Sequence, residues 1–193
     1  IKNSAYYSNK ENTIAPASDL YETKDGISVA HMFCDTIYLV NKSQVVPKYV
    51  LNYPSKIERT LFETDDIEFS KYKNEHSGYT FCCTYRESDT HQFMRIDNYA
   101  DGSFIYAFRE KDSGNIIEIE IDRDNLAKIN HRVFVQPEAS HNDKFVYVLS
   151  PEEIELGINI LRPFVSDEDY NLLKNMDEEA NPVLVLYSFK PFE

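Results

Sequence analysis

The amino-acid sequence predicts an all-β fold assembled from repeated four-stranded antiparallel units, with short helical insertions. Three observations predict it. Short apolar segments recur along the chain, separated by polar turns of hairpin length. The aromatic residues are 14 Tyr and 12 Phe with no Trp, and both types favour the pleated surface of a strand. Several segments are apolar at successive positions, as in "TIYLV" at 36–40, so they need cover on both faces.

Residues 1–18, "IKNSAYYSNKENTIAPAS", are polar with weak periodicity and read as a loop or as the remains of an element whose partner lies upstream. The first unit occupies 19–53. Its strands are "DLYET" (19–23), "ISVAHMF" (27–33), "TIYLVN" (36–41) and "VVPKYVLNY" (45–53). Lys24-Asp25-Gly26 turns the chain between the first two, because Gly accepts positive φ. Pro47 cannot donate to a ladder, which places its strand at a sheet edge. An insertion follows at 55–77: Ser55 and Glu58 fit a capping box for a short helix over 56–63, and an acidic loop comes after it.

The second unit occupies 79–122. "YTFCCTYR" (79–86), "HQFMRIDN" (91–98), "SFIYAFRE" (103–110) and "IIEIEID" (116–122) are its strands. Glu87-Ser88-Asp89, Asp101-Gly102 and Asp112-Ser113-Gly114-Asn115 are its turns. The third unit, 132–190, is less regular. "RVFVQ" (132–136) and "KFVYVLS" (144–150) are strands around a loop containing His141-Asn142-Asp143. Ser150-Pro151-Glu152-Glu153 starts a helix that Gly157 is expected to stop, Ser166 with Asp169 starts another, and "PVLVLYSFK" (182–190) is the last strand.

A four-strand unit recurring about every 45–60 residues is the signature of a β-propeller, whose blades stack face on face around an axis. Neighbouring blades cover both faces of the inner strands, which accounts for segments apolar at every position. A β-sandwich or a bent sheet with small helices is the competing architecture.

Several segments carry a resemblance. "DTIYLVNKSQVVPKYVLNY" (35–53) resembles the strand–turn–strand of the Bacteroidetes six-bladed β-propeller proteins, often predicted lipoproteins. "IYAFREKDSGNIIEIEID" (105–122) is similar to a later unit of that family, and "EEANPVLVLYSFK" (178–190) to its terminal strand, with Glu179-Ala180 in place of the usual acidic pair. The similarity runs in order over most of 19–190. It implies a single propeller region over 1–193, about three blades forming the C-terminal half of a six-bladed ring. The remaining blades are then expected from sequence not given or from another chain. It further implies a cell-envelope location, anchored at the outer membrane or periplasmic, and an accessory role beside outer-membrane nutrient transporters. The resemblance brings no catalytic motif with it.

Composition narrows function. The formal charge is −13, from 20 basic and 33 acidic residues, and no Lys/Arg cluster marks a phosphate-binding surface. Nucleic acid and polybasic membrane contact are disfavoured. The three cysteines, Cys34, Cys82 and Cys83, do not make a disulfide framework, and the adjacent pair in a regular strand points to opposite faces. No run approaches the roughly 20 apolar residues of a membrane span. Ile1 reads as the start of a processed chain or of a fragment.

No residue is assigned as catalytic, cofactor-binding or metal-ligating, and no cofactor is expected. Asp122-Arg123-Asp124-Asn125 has carboxylates at alternate positions but lacks the Gly and distal Glu of a calcium loop, so it reads as a solvated turn. Glu63, Asp65, Asp66 and Glu68 read as a solvated acidic loop. His91, His131 and His141 are the candidate general bases of a propeller-based hydrolase or lyase acting on a glycan or peptide, although no nucleophile elbow accompanies them. Tyr6, Tyr7, Tyr53, Tyr72, Tyr79 and Tyr99 could stack against sugars or peptides, but packing between blades uses the same residues. Cys82 and Cys83 read as inert core thiols. Asp35-Thr36-Ile37 resembles a short O-glycosylation acceptor and equally suits a strand start. The function expected is therefore non-enzymatic binding of a glycan, peptide or protein partner, with the hydrolase or lyase as the alternative.

Overall fold

The structure is a computed structural model that describes residues 7–8, 13–14, 18–31, 34–42, 44–52, 81–98, 102–121, 136–163 and 165–190. Among them are three antiparallel sheets. The first has the order β3 (Ser18–Thr23), β4 (Gly26–His31), β5 (Thr36–Asn41), β6 (Gln44–Val50). The middle sheet is β7 (Phe81–Glu87), β8 (His91–Asp97), β9 (Phe104–Glu110), β10 (Ile116–Ile121). The last is β11 (Ala139–His141), β12 (Lys144–Leu149), β13 (Val183–Tyr187), with helices α1 (Pro151–Leu161) and α2 (Asp167–Lys174) between its last two strands. A short ladder joins β1 (Tyr7–Ser8) to β2 (Thr13–Ile14) within the segment expected to be loop.

Local chemistry explains the connections. Gly26 has φ of 137°, and a Cβ there would stand 2.7 Å from the Val40 carbonyl oxygen, so the first hairpin requires glycine. Helix α1 begins with a full capping box. Ser150 Oγ accepts from Glu153 N at 3.2 Å, and Ser150 N donates to Glu153 Oε2 at 3.0 Å. Gly157 does not stop this helix, contrary to expectation. One interior glycine costs about 1 kcal/mol relative to alanine. The cap and the packing of Ile154 and Ile158 against Tyr147 and Leu149 outweigh that cost. Pro47 lies in β6, the edge strand of its sheet, as its missing donor requires. Strand β11 falls where the sequence suggested loop. The expected helix over 56–63 lies outside the described residues, as does the expected strand at 132–136 apart from Gln136, which is at a bend.

The sheets stack face to face. On one side of the middle sheet, Cys82, Tyr85, Met94 and Ala107 pack with Ala30 and Ile37 of the first sheet, flanked by Tyr21 and Tyr49. On its other side, Phe93, Phe104, Tyr106 and Phe108 pack with Phe145, Tyr187 and Phe189. Four successive residues of β8, His91 to Met94, are buried. The backbones of neighbouring sheets come closest at the first strands, where β7 lies beside β3 and β4 on one side and β11 on the other. Strands β6 and β10, last in their sheets, are largely exposed. The sheets thus converge at their first strands and splay towards their last.

Two bulges adjust which face a side chain meets. In β7, Cys82 pairs with Ile96 and Thr84 with Arg95, so Cys83 is the extra residue. The extra residue puts Cys82 and Tyr85 on one face, which the strict alternation expected for Cys82-Cys83 would have separated. In β6, Tyr38 pairs with Pro47 and Ile37 with Tyr49, which leaves Lys48 as the extra residue.

Candidate functional site: a polar cleft where the first hairpins meet

The first hairpin of each sheet reaches the same end of the stack. Between them lies a cleft of about 260 Å³, lined by Thr23–Asp25, Ser88–Asp89 and His141–Asn142 from the hairpin tips, with Lys48, Glu87 and Lys111 also on its wall. Convergence of the first strands produces this geometry, because the inner ends of the sheets come together while the outer ends separate.

Glu87 is the centre of the site. It ends β7, and its side chain is 1% exposed. Oε1 accepts from Ser28 Oγ at 3.0 Å and from Lys48 Nζ at 2.5 Å, both on the first sheet. Oε2 lies 2.9 Å from Lys111 Nζ. The bulge at Lys48 re-aims a side chain that would otherwise follow the strand's alternation. Burial alone would lower the Lys48 pKa, but the hydrogen bond and charge of Glu87 outweigh it and raise it. Burial, and next the charge of Glu87, raise the pKa of Tyr49. Burial first, with a further push from the same carboxylate, raises those of Tyr21 and Tyr85, so the surrounding phenols stay protonated.

The last sheet is stitched to the same strand. Ser140 Oγ donates to the Glu87 carbonyl at 2.6 Å, Asp89 N to the Asn142 carbonyl at 2.6 Å, and Arg86 Nε to the Glu138 carbonyl at 2.9 Å. Asn142 takes φ of 54°, a conformation asparagine tolerates at a tight turn. Residue 87 therefore joins all three sheets, through its side chain on one side and its carbonyl on the other.

The charged groups of the wall are matched within the protein. Two ammonium groups and a hydroxyl surround the Glu87 carboxylate. Thr23, Ser88, Ser140, Asn142 and the exposed His141 also line the cleft, with the Thr23, Ser88 and Ser140 hydroxyls bonded to the Gly26 carbonyl, the His91 amide and the Glu87 carbonyl.

Of the residues singled out from sequence, His141 alone lies on the cleft. His91 is buried in β8, with its ring 5.4 Å from Phe189 and Nδ1 2.9 Å from Thr90 Oγ1. Burial lowers its pKa, Glu110 opposes that and Lys111 adds to it. Cys82 is buried, with Sγ 3.3 Å from the Thr84 carbonyl, and all three cysteines are free thiols. Asp35 Oδ1 accepts from Thr36 Oγ1 at 2.9 Å at the start of β5. Tyr7 lies in β1. His131, Tyr6, Tyr53, Tyr72, Tyr79, Tyr99, the acidic loop 63–68 and the turn 122–125 lie outside the described residues. Sequence reading missed Lys48, Glu87 and Lys111 as a group, because they come from three strand ends far apart in the chain and one of them is turned by a bulge.

Face-to-face antiparallel sheets converging on a polar cleft define a mostly β protein of stacked-sheet architecture. Its fold is similar to the crystal structure of a "putative exported protein" from Bacteroides fragilis, with a TM-score of 0.55 and 17% sequence identity, over 89% of this chain and 49% of that one. The chain spans about half the length of that protein. No family model matches the chain, and no curated protein does. Among the described residues, no helix is long and apolar enough to cross a membrane.

Proposed function

We propose that the chain forms three consecutive blades of a six-bladed β-propeller, carried by an exported cell-envelope protein that binds a glycan, peptide or protein partner without catalysis. Further blades, from flanking sequence or another chain, complete the ring. The role is that of an accessory to outer-membrane nutrient uptake. The observation that carries the reading is the cleft itself. The first hairpins of three sheets meet around a preformed polar space, and loops around the central axis are where a propeller would offer a ligand site. The likeness in fold to half of a longer protein supports the ring, and that protein's description supports export.

The test is a glycan and peptide array probed with the native gene product, together with co-purification from membranes. Binding that is lost when the Thr23–Asp25 hairpin is replaced supports the reading. Uniform absence of binding, with no transporter component co-purifying, overturns it. Turnover of an arrayed glycan or peptide that disappears on substitution of His141 or His91 would replace it with the hydrolase or lyase.

A further inference from the structure

The three sheets do not finish in the same way. The first and middle sheets have four strands and the last has three, so β13 is its edge among the described residues. An edge strand presents unpaired N–H and C=O groups and invites another strand. The outer edges of the other two sheets carry features that blunt this. In β6, Pro47 lacks a donor and the extra residue Lys48 breaks the register. In β10, "IIEIEI", Glu118 and Glu120 stand two residues apart on one face, where their charge repels a copy of the same strand. Strand β13, "VLVLY", has no charge, no proline and no bulge, and it pairs with β12 in unbroken register.

The segment is also complementary to itself. Paired antiparallel about Val185, it sets Leu184 opposite Leu186 of the partner subunit and Val183 opposite Tyr187 of the partner subunit. Leu184 and Leu186 are 62% and 52% exposed. Contact between them across the pair removes apolar surface from water. The flanking charges agree with the same register. Asp177, Glu178 and Glu179 form an acidic turn, closed by Ala180 N donating to the Asp177 carbonyl at 3.0 Å, just before β13. Lys190 stands as far beyond the end of β13 as Ala180 stands before its start. The three acids and the lysine are all exposed. In the antiparallel pair each Lys190 falls opposite Ala180 of the partner subunit, beside the acidic turn, and a two-fold axis makes the contact twice. A parallel pair would instead set lysine beside lysine and acid beside acid.

We propose that two copies of the protein join edge to edge through β13, antiparallel about Val185, so that their last sheets form one continuous sheet. The occupant of the edge is a second copy, because the side chains and flanking charges of β13 fit that same strand running in the opposite direction. The contact uses the edge of the sheet, so the open face stays available to further blades. It does not depend on any ligand at the cleft.

Analytical ultracentrifugation of the native gene product tests the proposal. A dimer that dissociates on dilution is expected, with β13 amides that exchange more slowly as protein concentration rises. Lys190→Glu sets acid against acid and is expected to weaken the dimer by about tenfold. Adding Glu179→Lys to Lys190→Glu swaps the two charges and is expected to restore it, a rescue that only an antiparallel self-pair in this register gives. A protein that stays monomeric at every concentration overturns the proposal; β13 amides protected in that monomer would assign the edge to a fourth strand from the same chain. A dimer that Lys190→Glu leaves unchanged overturns it too, because the contact then lies elsewhere, and so does a weakening that Glu179→Lys fails to repair. Should Lys190→Glu not fold, Glu179→Lys alone sets lysine against lysine and is expected to weaken the dimer in the same way; unchanged dimerisation in that variant is equally fatal.

Discussion

The middle sheet and the two sheets that flank it are built from similar strands and live in different surroundings. Tyr85 and Phe93, on opposite faces of the middle sheet, are both fully buried. The first sheet buries only the face that carries Ala30, Ile37 and Tyr49. By the register of its strands, the other face presents Leu20, Ile27, Val29, Tyr38, Val40 and Val45, and Leu20 is 67% exposed. The last sheet repeats the pattern. Phe145, Tyr147 and Leu149 point inward, while Val146, Val148, Leu184 and Leu186 share the open face, where Leu184 is 62% exposed. The difference teaches that these sheets are designed to be covered twice. An apolar patch of this extent on a terminal layer is what the proposed further blades would cover. That surface is the physical reason to expect further blades.

The largest effects test the covered sheet. Phe93→Ala or Phe108→Ala removes a ring from a core in which Phe108 contacts both Phe93 and Phe145. Each is expected to cost about 3–5 kcal/mol in a denaturant melt. Glu87→Ala belongs with them, because it strands Lys48 and Lys111 beside a cavity; removing one partner of a buried pair costs about 3–5 kcal/mol. If Phe93→Ala melts like the native chain, the middle sheet is not the double-sided core described.

The open faces give the next effect, and here the two ends decide the architecture. Leu184→Ser with Leu186→Ser is expected to shift the stability of residues 1–193 alone by about 0.5 kcal/mol or less and to raise solubility. In the native gene product, with further blades against that face, the same pair is expected to cost about 2–5 kcal/mol. Equal, small effects in both would mean that nothing covers the face, and the ring would fall.

How much of this was legible in the sequence follows from the range of the interactions involved. The strands at 36–41 and 104–110 are written in local chemistry: turn residues on either side and apolar residues between. So are the caps at Ser150 and Ser166, each with its acidic partner three residues on. The run "TIYLV" predicts cover on both faces, but in β5 only the Ile37 face is buried, while Tyr38 and Val40 lie on the open face; double cover is seen instead in the middle sheet. Strand β11 escaped because it has only three residues, Ala-Ser-His, with no apolar pattern. The cleft escaped for a different reason. Lys48 and Glu87 are 39 residues apart, and Lys48 reaches Glu87 from a bulge beside Pro47. Bulges depend on how two strands settle their register, and no local pattern announces them.

A pH titration separates the groups of the middle sheet by sign. Burial lowers the His91 pKa, so the folded state prefers the neutral ring. Its contribution is present at neutral pH and is lost as pH falls through the unfolded value of about 6.5 towards the lower folded one. Asp97 is the converse case: burial raises its pKa against the opposing pull of Arg95. The folded state then binds that proton more readily than the unfolded chain, and acid relieves a cost present at neutral pH. Denaturant melts from pH 7 to pH 5 are expected to show a decline that His91→Phe flattens. A decline of unchanged slope in the variant would place the titrating group elsewhere.

The smallest expected effect lies at the far end of the last sheet from the cleft. Ser150 caps α1, which with α2 covers the Tyr147 and Leu149 end of the last sheet. Ser150→Ala removes an acceptor for Glu153 N and a contact with the Glu153 carboxylate, which also accepts from Tyr147 Oη at 2.9 Å. The cost is expected to be about 1 kcal/mol. The binding of any ligand at the cleft should be unchanged, because the cleft is walled by hairpins at the opposite end of β12 from this cap. Hydrogen exchange locates the loss: protection should fall in 151–161 and hold in β7 to β9. Loss of protection in β8 as well would mean that the helical cover and the doubly buried sheet unfold as one unit, and the contrast between the middle of the stack and its ends would be one of exposure and not of local stability.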